Sequence, residues 1–409
     1  MQIQPILAAL RHHKAGTMLI ALQIALTLAI VCNALFIVHQ KLAHLSQPTG
    51  IDEANIFVIN NQWADSMSGP QIDAQMQADL AALRQLPAVH DATASESYPL
   101  SGYDWDDFIT MKPGQVQKTT DAAVYFGDTH FLDTLGLKLI AGRNFRADEI
   151  APLAPHHDTV PPVAIVTQKL ADKLYPNGSA LGKTFYAMNP APVTIIGIVQ
   201  RLQRQEVETW SAPYAYESLI FPRRLDGDGT YYIVRAKPGE MAAAMREAEQ
   251  ALIAQNRMRI IDPKDGVLTF AQVRHRAYDS DRGTAILMGI ICAVLLVITG
   301  AGIVGLTSFW VGQRRKQIGI RRALGATRRD ILNYFLTENF LISGAGAVAG
   351  IVLAIAINLW MIAYVQMTRM PWFYVLAGVV VLLLLGQGAA LAPALRASRV
   401  SPVEATRSV

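Results

Sequence analysis

The sequence predicts a membrane protein: four transmembrane helices with a large α+β extracytoplasmic domain inserted between helices 1 and 2. Three observations predict it. Four apolar segments, at residues 15–38, 284–311, 340–365 and 372–395, reach the roughly 20 residues that a helix needs to cross a bilayer. Apolar residues make up 52% of the 409 and charged residues only 17%, which argues against a wholly soluble chain. Charge is also split. Residues 41–282 hold 23 Lys or Arg against 29 Asp or Glu, whereas the rest holds 13 against 3. Short loops rich in Lys and Arg stay in the cytoplasm, so the basic loop between the second and third segments faces inward and both termini follow it. The formal charge of +4 therefore reports orientation in a membrane. No basic patch with an aromatic or helical reader points to nucleic acid.

Residues 1–14, MQIQPILAALRHHK, predict a short cytoplasmic interfacial helix, with Pro5 in its first turn and Ile6, Leu7 and Leu10 toward the inner leaflet. A disordered tail is the other reading. The apolar run that follows is longer than the 7 to 15 residues of a signal core, and no small-x-small cleavage site follows Val38, so it reads as an anchor. Both cysteines, Cys32 and Cys292, fall in spanning segments, which leaves the exported domain at 39–283 without a disulfide.

Within that domain, NIFVIN at 55–60 reads as a strand, and Ile72, Met76, Leu80 and Leu83 recur at helical spacing before Pro87. Residues 88–95 and 122–126 read as strands, and 163–175 as a strand followed by a helix. Further strands are expected at 194–199 and 231–236, and an alanine-rich helix at 240–256. No catalytic centre emerges. His156–His157 reads as a polar loop and Asp226-Gly-Asp-Gly229 as a turn, while Asp104, Asp106 and Asp107 around Trp105 read as an exposed acidic cluster. GxSxG and HExxH are absent, as is any glycine-rich loop ending in GK[ST], so no P-loop route to ATP hydrolysis is expected of this chain.

Residues 312–339 form the cytoplasmic element. VGQRRKQIGIRRALGATRRDIL, at 311–332, carries seven Arg or Lys among 22 residues. Ile320 and Leu324 are four apart, as are Ile331 and Phe335, so each pair shares a helical face. Gly325 can end a first helix at a left-handed position, and Thr327 with Asp330 has the spacing of an N-terminal cap for a second. Two readings stand: a loop whose charges only fix topology, and a bent docking element for a soluble partner. In the membrane, Gly346 with Gly350 and Gly386 with Ala390 have the small-xxx-small spacing of close helix contacts. Gln23, Asn33, Asn358 and Gln387 are the polar exceptions, and no paired charges mark an ion pathway. A short loop at 366–371 precedes the last helix, and a basic tail at 396–409 follows it.

The order of one helix, a large exported domain and three helices around RRKQIGIRRALGATRRDIL resembles the MacB/FtsX-like family of ABC transporter permeases. The C-terminal PALRASRVSPVEATR resembles that family's ending, with Ala405-Thr406 where many members have Ala-Leu. YFGDTHFLDTLGLKLIAGRNF at 125–145 and VAIVTQKLADKLYPNGSALGKTF at 163–185 are similar to MacB-type periplasmic stretches. The segments 151–162 and 210–228 depart from the pattern. The resemblance implies a bacterial inner-membrane permease dimer, homomeric or with a paralogue. It would bind an ABC ATPase as a separate subunit that holds ATP and Mg, and transmit its motion to the exported domain. It further implies contact with that ATPase through Arg314, Arg315, Ile318, Ile320, Arg321, Arg322, Leu324, Gly325, Ala326, Arg328 and Arg329. Relatives use a periplasmic adaptor and an outer-membrane channel to export drugs, peptides or lipid-linked substrates. Others regulate cell-wall hydrolases without transport, usually with a smaller exported domain. A membrane-bound enzyme would need a polar constellation that the sequence does not contain.

Overall fold

A computed structural model describes residues 14–64, 67–102, 105–153, 160–187, 191–206, 214–225, 229–365 and 367–400. Residues 1–13 of the interfacial helix expected at 1–14, the tail from 401, Asp104, the His156–His157 pair and Asp226–Asp228 lie outside the described residues. The chain divides into an inserted unit, Gln47–Asp279, and a helical unit from the segments before and after it. The helical unit begins with α1, Lys14–Leu45, whose 32 residues span about 48 Å at 1.5 Å per residue.

The inserted unit has two lobes, and the first is discontinuous in sequence. It opens with β1 (Ile56–Trp63), α2 (Gly69–Arg84) and β2 (Val89–Ser95). After the second lobe it resumes with β12 (Gly229–Ala236), α5 (Met241–Gln255), β13 (Arg259–Ile260), β14 (Val267–Thr269) and α6 (Phe270–Ala277). Its antiparallel sheet runs β13-β1-β12-β2, and β14 also pairs with β1. Alternation puts Phe57 and Ile59 of β1 on one face, against Met76, Leu80 and Leu83 of α2 and Ala244, Ala248 and Leu252 of α5. Within this lobe Arg259 closes on Asp79 at 2.8 Å, and Tyr232 donates to the same carboxylate at 2.6 Å, so the buried acid is neutralised and fully bonded.

The second lobe contains β3 (Asp106–Ile109), β4 (Thr120–Phe126), α3 (Phe131–Leu135), β5 (Leu139–Gly142), β6 (Ala151–Leu153) and β7 (Val163–Thr167). It continues through α4 (Gln168–Leu174), β8 (Thr184–Tyr186), β9 (Pro192–Val199), β10 (Ser218–Phe221) and β11 (Arg223–Leu225). Its main sheet runs β3-β4-β10-β7-β9-β5, with β8 on β9, while β6 and β11 pair separately. The VAIVT strand and the helix after it lie where expected, and the Thr167 hydroxyl caps α4 by accepting from Leu170 N–H. The acidic cluster around Trp105 is corrected. Asp106 and Asp107 belong to β3, Asp107 is buried, and Asp106 pairs with the buried Arg204. Three carboxylates within four residues suggest solvation, but Asp106 and Asp107 have strand backbone, with Asp107 buried and Asp106 half-buried against Arg204.

The chain then returns to the helical unit through α7 (Asp279–Gln313), α8 (Arg315–Ala323), α9 (Arg328–Val365) and α10 (Trp372–Ser398). With α1, three of these are long and apolar enough to cross a membrane. The apolar run at 340–365 is only part of α9, which starts twelve residues earlier. Residues 328–339 contain neither Gly nor Pro and place Ile331 and Phe335 on one buried stripe, so the helix has no reason to stop at the edge of the apolar run. The protein is thus a multi-pass inner-membrane protein with a large exported domain. A cysteine replacing Val116, which is 99% exposed on the inserted unit, should label from outside the cell with an impermeant maleimide. One replacing the exposed Lys316 should label only after permeabilisation, and labelling of both from one side would reject this orientation.

Candidate functional site

The cytoplasmic element is two helices joined by a bend, and each part of the bend has an identifiable local cause. Gly325, at φ +100°, ends α8. Its N–H donates to Arg322 O at 3.2 Å and Ala326 N–H donates to Arg321 O at 3.1 Å, the paired bonds of a Schellman turn. Thr327 then starts α9. Its hydroxyl accepts from Asp330 N–H at 3.2 Å, while the Asp330 carboxylate accepts from Thr327 N–H at 2.9 Å. Two sequence signals, Gly325 and the Thr327–Asp330 box, therefore act together at one corner.

The inner face of the corner is fixed by packing and charge. Ile318, Ile331 and Phe335 are buried against Ala394 and Ala397 of α10 and Val400 just beyond it. Arg314, between α7 and α8, is buried, and its Nη1 lies 2.9 and 3.0 Å from the two oxygens of Glu338. Arg322 donates to the carbonyls of Val400 at 2.9 Å and Ser398 at 3.2 Å, satisfying the C-terminal end of α10. Arg321 stacks 4.9 Å over the Tyr334 ring. Ala326 is half-buried beside the same apolar cluster.

The outer face presents different chemistry. Ile320 is 51% exposed and Leu324 83%, one turn apart, with Arg315, Lys316, Arg328 and Arg329 exposed around them. Of the sequence-selected residues, Arg314, Ile318 and Arg322 thus face the protein's own helices, whereas Ile320, Leu324, Arg328 and Arg329 face outward. Two features escaped sequence reasoning. Glu338 gives no signal, because its partner lies 24 residues away across a bend. The docking of α8 on the end of α10 joins segments with no shared periodicity.

The packing glycines separate by partner. A Cβ on Gly346 would stand 2.7 Å from Ala21 O, and one on Gly350 would stand 2.9 Å from Ala25 O, so this pair seats α9 on α1. Gly386 faces Ser343 and Asn339 of α9, with Asn339 donating to Gly386 O at 2.9 Å. Ala390 is fully buried with Ile20, Ile24, Ile303 and Ile342. The polar exceptions tie helices together as well. Asn33 donates to Ala354 O at 3.2 Å, and Gln23 donates to Ile298 O at 3.1 Å. At the other ends of α1 and α7, Lys41 and His44 both reach Asp281, at 2.6 and 3.1 Å.

Comparison with known proteins finds two family models. The MacB-like periplasmic core domain matches residues 17–252, and the FtsX-like permease C-terminal model matches 289–402, which includes the whole cytoplasmic corner. The macrolide export ATP-binding/permease protein MacB of Pasteurella multocida (strain Pm70) is 26% identical over 404 residues, covering 96% of this chain and 58% of that protein. The uncharacterized ABC transporter permease YknZ of Bacillus subtilis (strain 168) is 27% identical over 312 residues, 73% of each. Among solved structures, the periplasmic region of MacB from Actinobacillus actinomycetemcomitans matches at 15% identity with a TM-score of 0.35, covering 57% of this chain and 97% of that one. The chain spans about half the length of the MacB relatives it matches.

Proposed function

This chain belongs to the MacB/FtsX-like permeases, and from that membership we propose that it couples ATP hydrolysis by an ABC ATPase to conformational work in its exported domain. The carrying observation is the two-faced corner at 312–339. Its inner face packs on the chain's own helices through Ile318, Ile331 and Phe335, while Ile320 and Leu324 are exposed on the other side among exposed Arg and Lys. Large apolar side chains held outward on a rigid element are the anatomy of a docking patch, with charges steering approach and the apolar centre holding the complex. ATP and Mg would be held by the ATPase.

A push on the corner has a defined route. Arg314 and Glu338 connect the start of α8 to α9, and α9 is seated on α1 through Gly346 and Gly350. At 35 residues α7 is about 52 Å long, and α1 about 48 Å, both well beyond a hydrocarbon core of roughly 30 Å. Asp281, bonded by both Lys41 and His44, ties the ends of these helices. Rigid helices tied at both ends transmit a displacement across the membrane without opening a pore. Work of this kind suits export of a drug, peptide or lipid-linked substrate, with a second permease copy, an adaptor and an outer-membrane channel as partners.

The test is Ile320→Asp with Leu324→Asp in the full chain, reconstituted with its co-expressed ABC ATPase. Both positions are exposed, so folding should persist. Co-purification of the ATPase and its stimulation by the permease should fall at least about tenfold, the effect of losing roughly 1.4 kcal/mol of apolar contact. Normal assembly and stimulation in the double variant would reject the corner as the docking site.

A further inference from the structure

The cytoplasmic end of α10 carries charge that neither the corner nor the bundle uses. Arg396 follows directly on the apolar run that ends at Leu395, and Arg399, which caps the helix, lies four residues beyond that run. One side of this end is occupied. Pro393, Ala394 and Ala397 are buried there, the two alanines against Ile318. The other side is open. Leu384, Gly388, Leu391 and Leu395 recur at spacings of four, three and four, which puts them on one helical face, and all four are exposed. A Cβ on Gly388 would meet nothing within 4 Å, so the glycine is a notch in a lipid-facing stripe of leucines.

Two observations point to a ligand. The first is unmet charge. Across 312–339 and 396–400 the carboxylates are Asp330 and Glu338. Asp330 caps α9 with Thr327, and Glu338 pairs with Arg314. Arg396 and Arg399 are exposed, and neither side chain has a hydrogen bond or ion pair among the described residues. The second is depth. At 1.5 Å per residue Arg399 stands about 6 Å beyond Leu395, and a headgroup layer is roughly 5 to 7 Å thick on each side of the hydrocarbon. Long side chains lean toward the N-terminus of their helix, here back toward the bilayer, so both guanidiniums reach phosphate level. Residues three apart are neighbours on a helix surface, which brings the two onto one headgroup. Arg328 and Arg329 differ, because they precede the apolar run at Phe340 by about 17 Å of helix and lie outside that layer. Orientation in the membrane needs positive charge, but not its placement at the foot of an exposed apolar stripe.

We propose that this end of α10 seats an anionic phospholipid of the cytoplasmic leaflet, its phosphodiester held by Arg396 and Arg399 and one acyl chain along Leu384, Gly388, Leu391 and Leu395. Guanidinium groups meet phosphate through charge-assisted hydrogen bonds, and basic residues beside a spanning helix draw anionic headgroups. A lipid so placed braces the end of α10 on which α8 rests, through Ile318 and through the bonds of Arg322 to Ser398 O and Val400 O. The binding is independent of ATPase coupling, because it involves this chain alone.

The test titrates the full, delipidated chain in nonionic detergent with dioctanoyl phosphatidylglycerol or dioctanoyl phosphatidylcholine, and counts bound lipid by native mass spectrometry. The acyl chains are the same, so any difference reads the headgroup. Phosphatidylglycerol should bind about tenfold tighter, the scale set by two basic residues at the membrane surface. Arg396→Gln with Arg399→Gln, both at exposed positions, should erase that preference, while Arg396→Lys with Arg399→Lys should keep most of it. Arg328→Gln with Arg329→Gln removes the same charge and should leave the preference intact. Glycerophosphoglycerol, the headgroup without its chains, should not compete. Equal binding of the two lipids by the wild-type chain would overturn the proposal. So would a preference that survives the glutamine pair at 396 and 399, or one lost equally with the pair at 328 and 329, since that reports net charge alone. Competition by glycerophosphoglycerol as effective as that of the lipid would overturn the lipid assignment in favour of a free-phosphate site.

Discussion

Gly325→Val should leave the permease inserted and assembled but reduce its stimulation of the ATPase to the basal rate. The reason is backbone geometry alone. No atom lies within 4 Å of a Cβ built on Gly325, so the substitution meets no neighbour, yet φ is +100°, where a β-branched residue is strained. Holding valine there would cost on the order of 1 to 3 kcal/mol, comparable to the two Schellman bonds that maintain the bend. The chain relieves that strain by rotating φ negative, which breaks the bonds to Arg321 and Arg322 and re-aims α8 against α9. The patch of Ile320 and Leu324 then no longer faces the same direction as Arg328 and Arg329. A topology-only loop responds differently, since all seven basic residues remain and the variant would work normally. Gly325→Asn should recover part of the activity, because asparagine tolerates positive φ better than valine does. Measurement of ATPase rate in nanodiscs, alongside co-purification, separates these outcomes. Wild-type stimulation by the valine variant would show that the bend does not carry coupling.

How much of this was legible in sequence depended on whether the signal was local. The corner was legible because each of its determinants acts within five residues: the glycine, the Thr327–Asp330 box and the Ile331–Phe335 spacing. Single strands such as 163–167 were legible for the same reason. The discontinuous first lobe was not, because pairing of β1 with β12 joins Ile56 to Arg235 across the entire second lobe, and nothing local encodes that return. Short strands such as β13, with two residues, carry too little alternation to be seen. Asp106 was misread for a related reason. Its environment is set by Arg204, which lies nearly a hundred residues away. The two faces of the corner fall between these cases. Spacing identified Ile320 and Leu324 as a pair, but only the docking of α8 on α10 decided that Ile318 turns inward and this pair outward.

The buried pair of Arg314 and Glu338 gives the largest expected effect on stability. The two side chains are 11% and 4% exposed, and one guanidinium nitrogen reaches both carboxylate oxygens. Such a pair contributes little over a well-packed apolar replacement, but removing one partner leaves the other charge buried, at about 3 to 5 kcal/mol. Glu338→Ala should therefore lower the unfolding temperature of the full chain clearly. It should also speed tryptic cleavage after Arg315, Lys316 and Arg321, whose side chains are already exposed, because the start of α8 loses its anchor to α9 and its backbone can open into the protease. Arg314→Ala should act in the same direction. The pair of changes Arg314→Met with Glu338→Leu should restore most of the stability and the tryptic protection, since both charges are then gone and the volume is filled. Restored stability need not restore coupling in full. If the ion pair also fixes the angle between α7 and α9, the apolar double variant will be as stable as wild type yet stimulate the ATPase less. Glu338→Ala with an unchanged unfolding temperature and unchanged trypsin pattern would show that the pair is hydrated in the working protein, and that α8 is held by Ile318 and the Arg322 contacts alone.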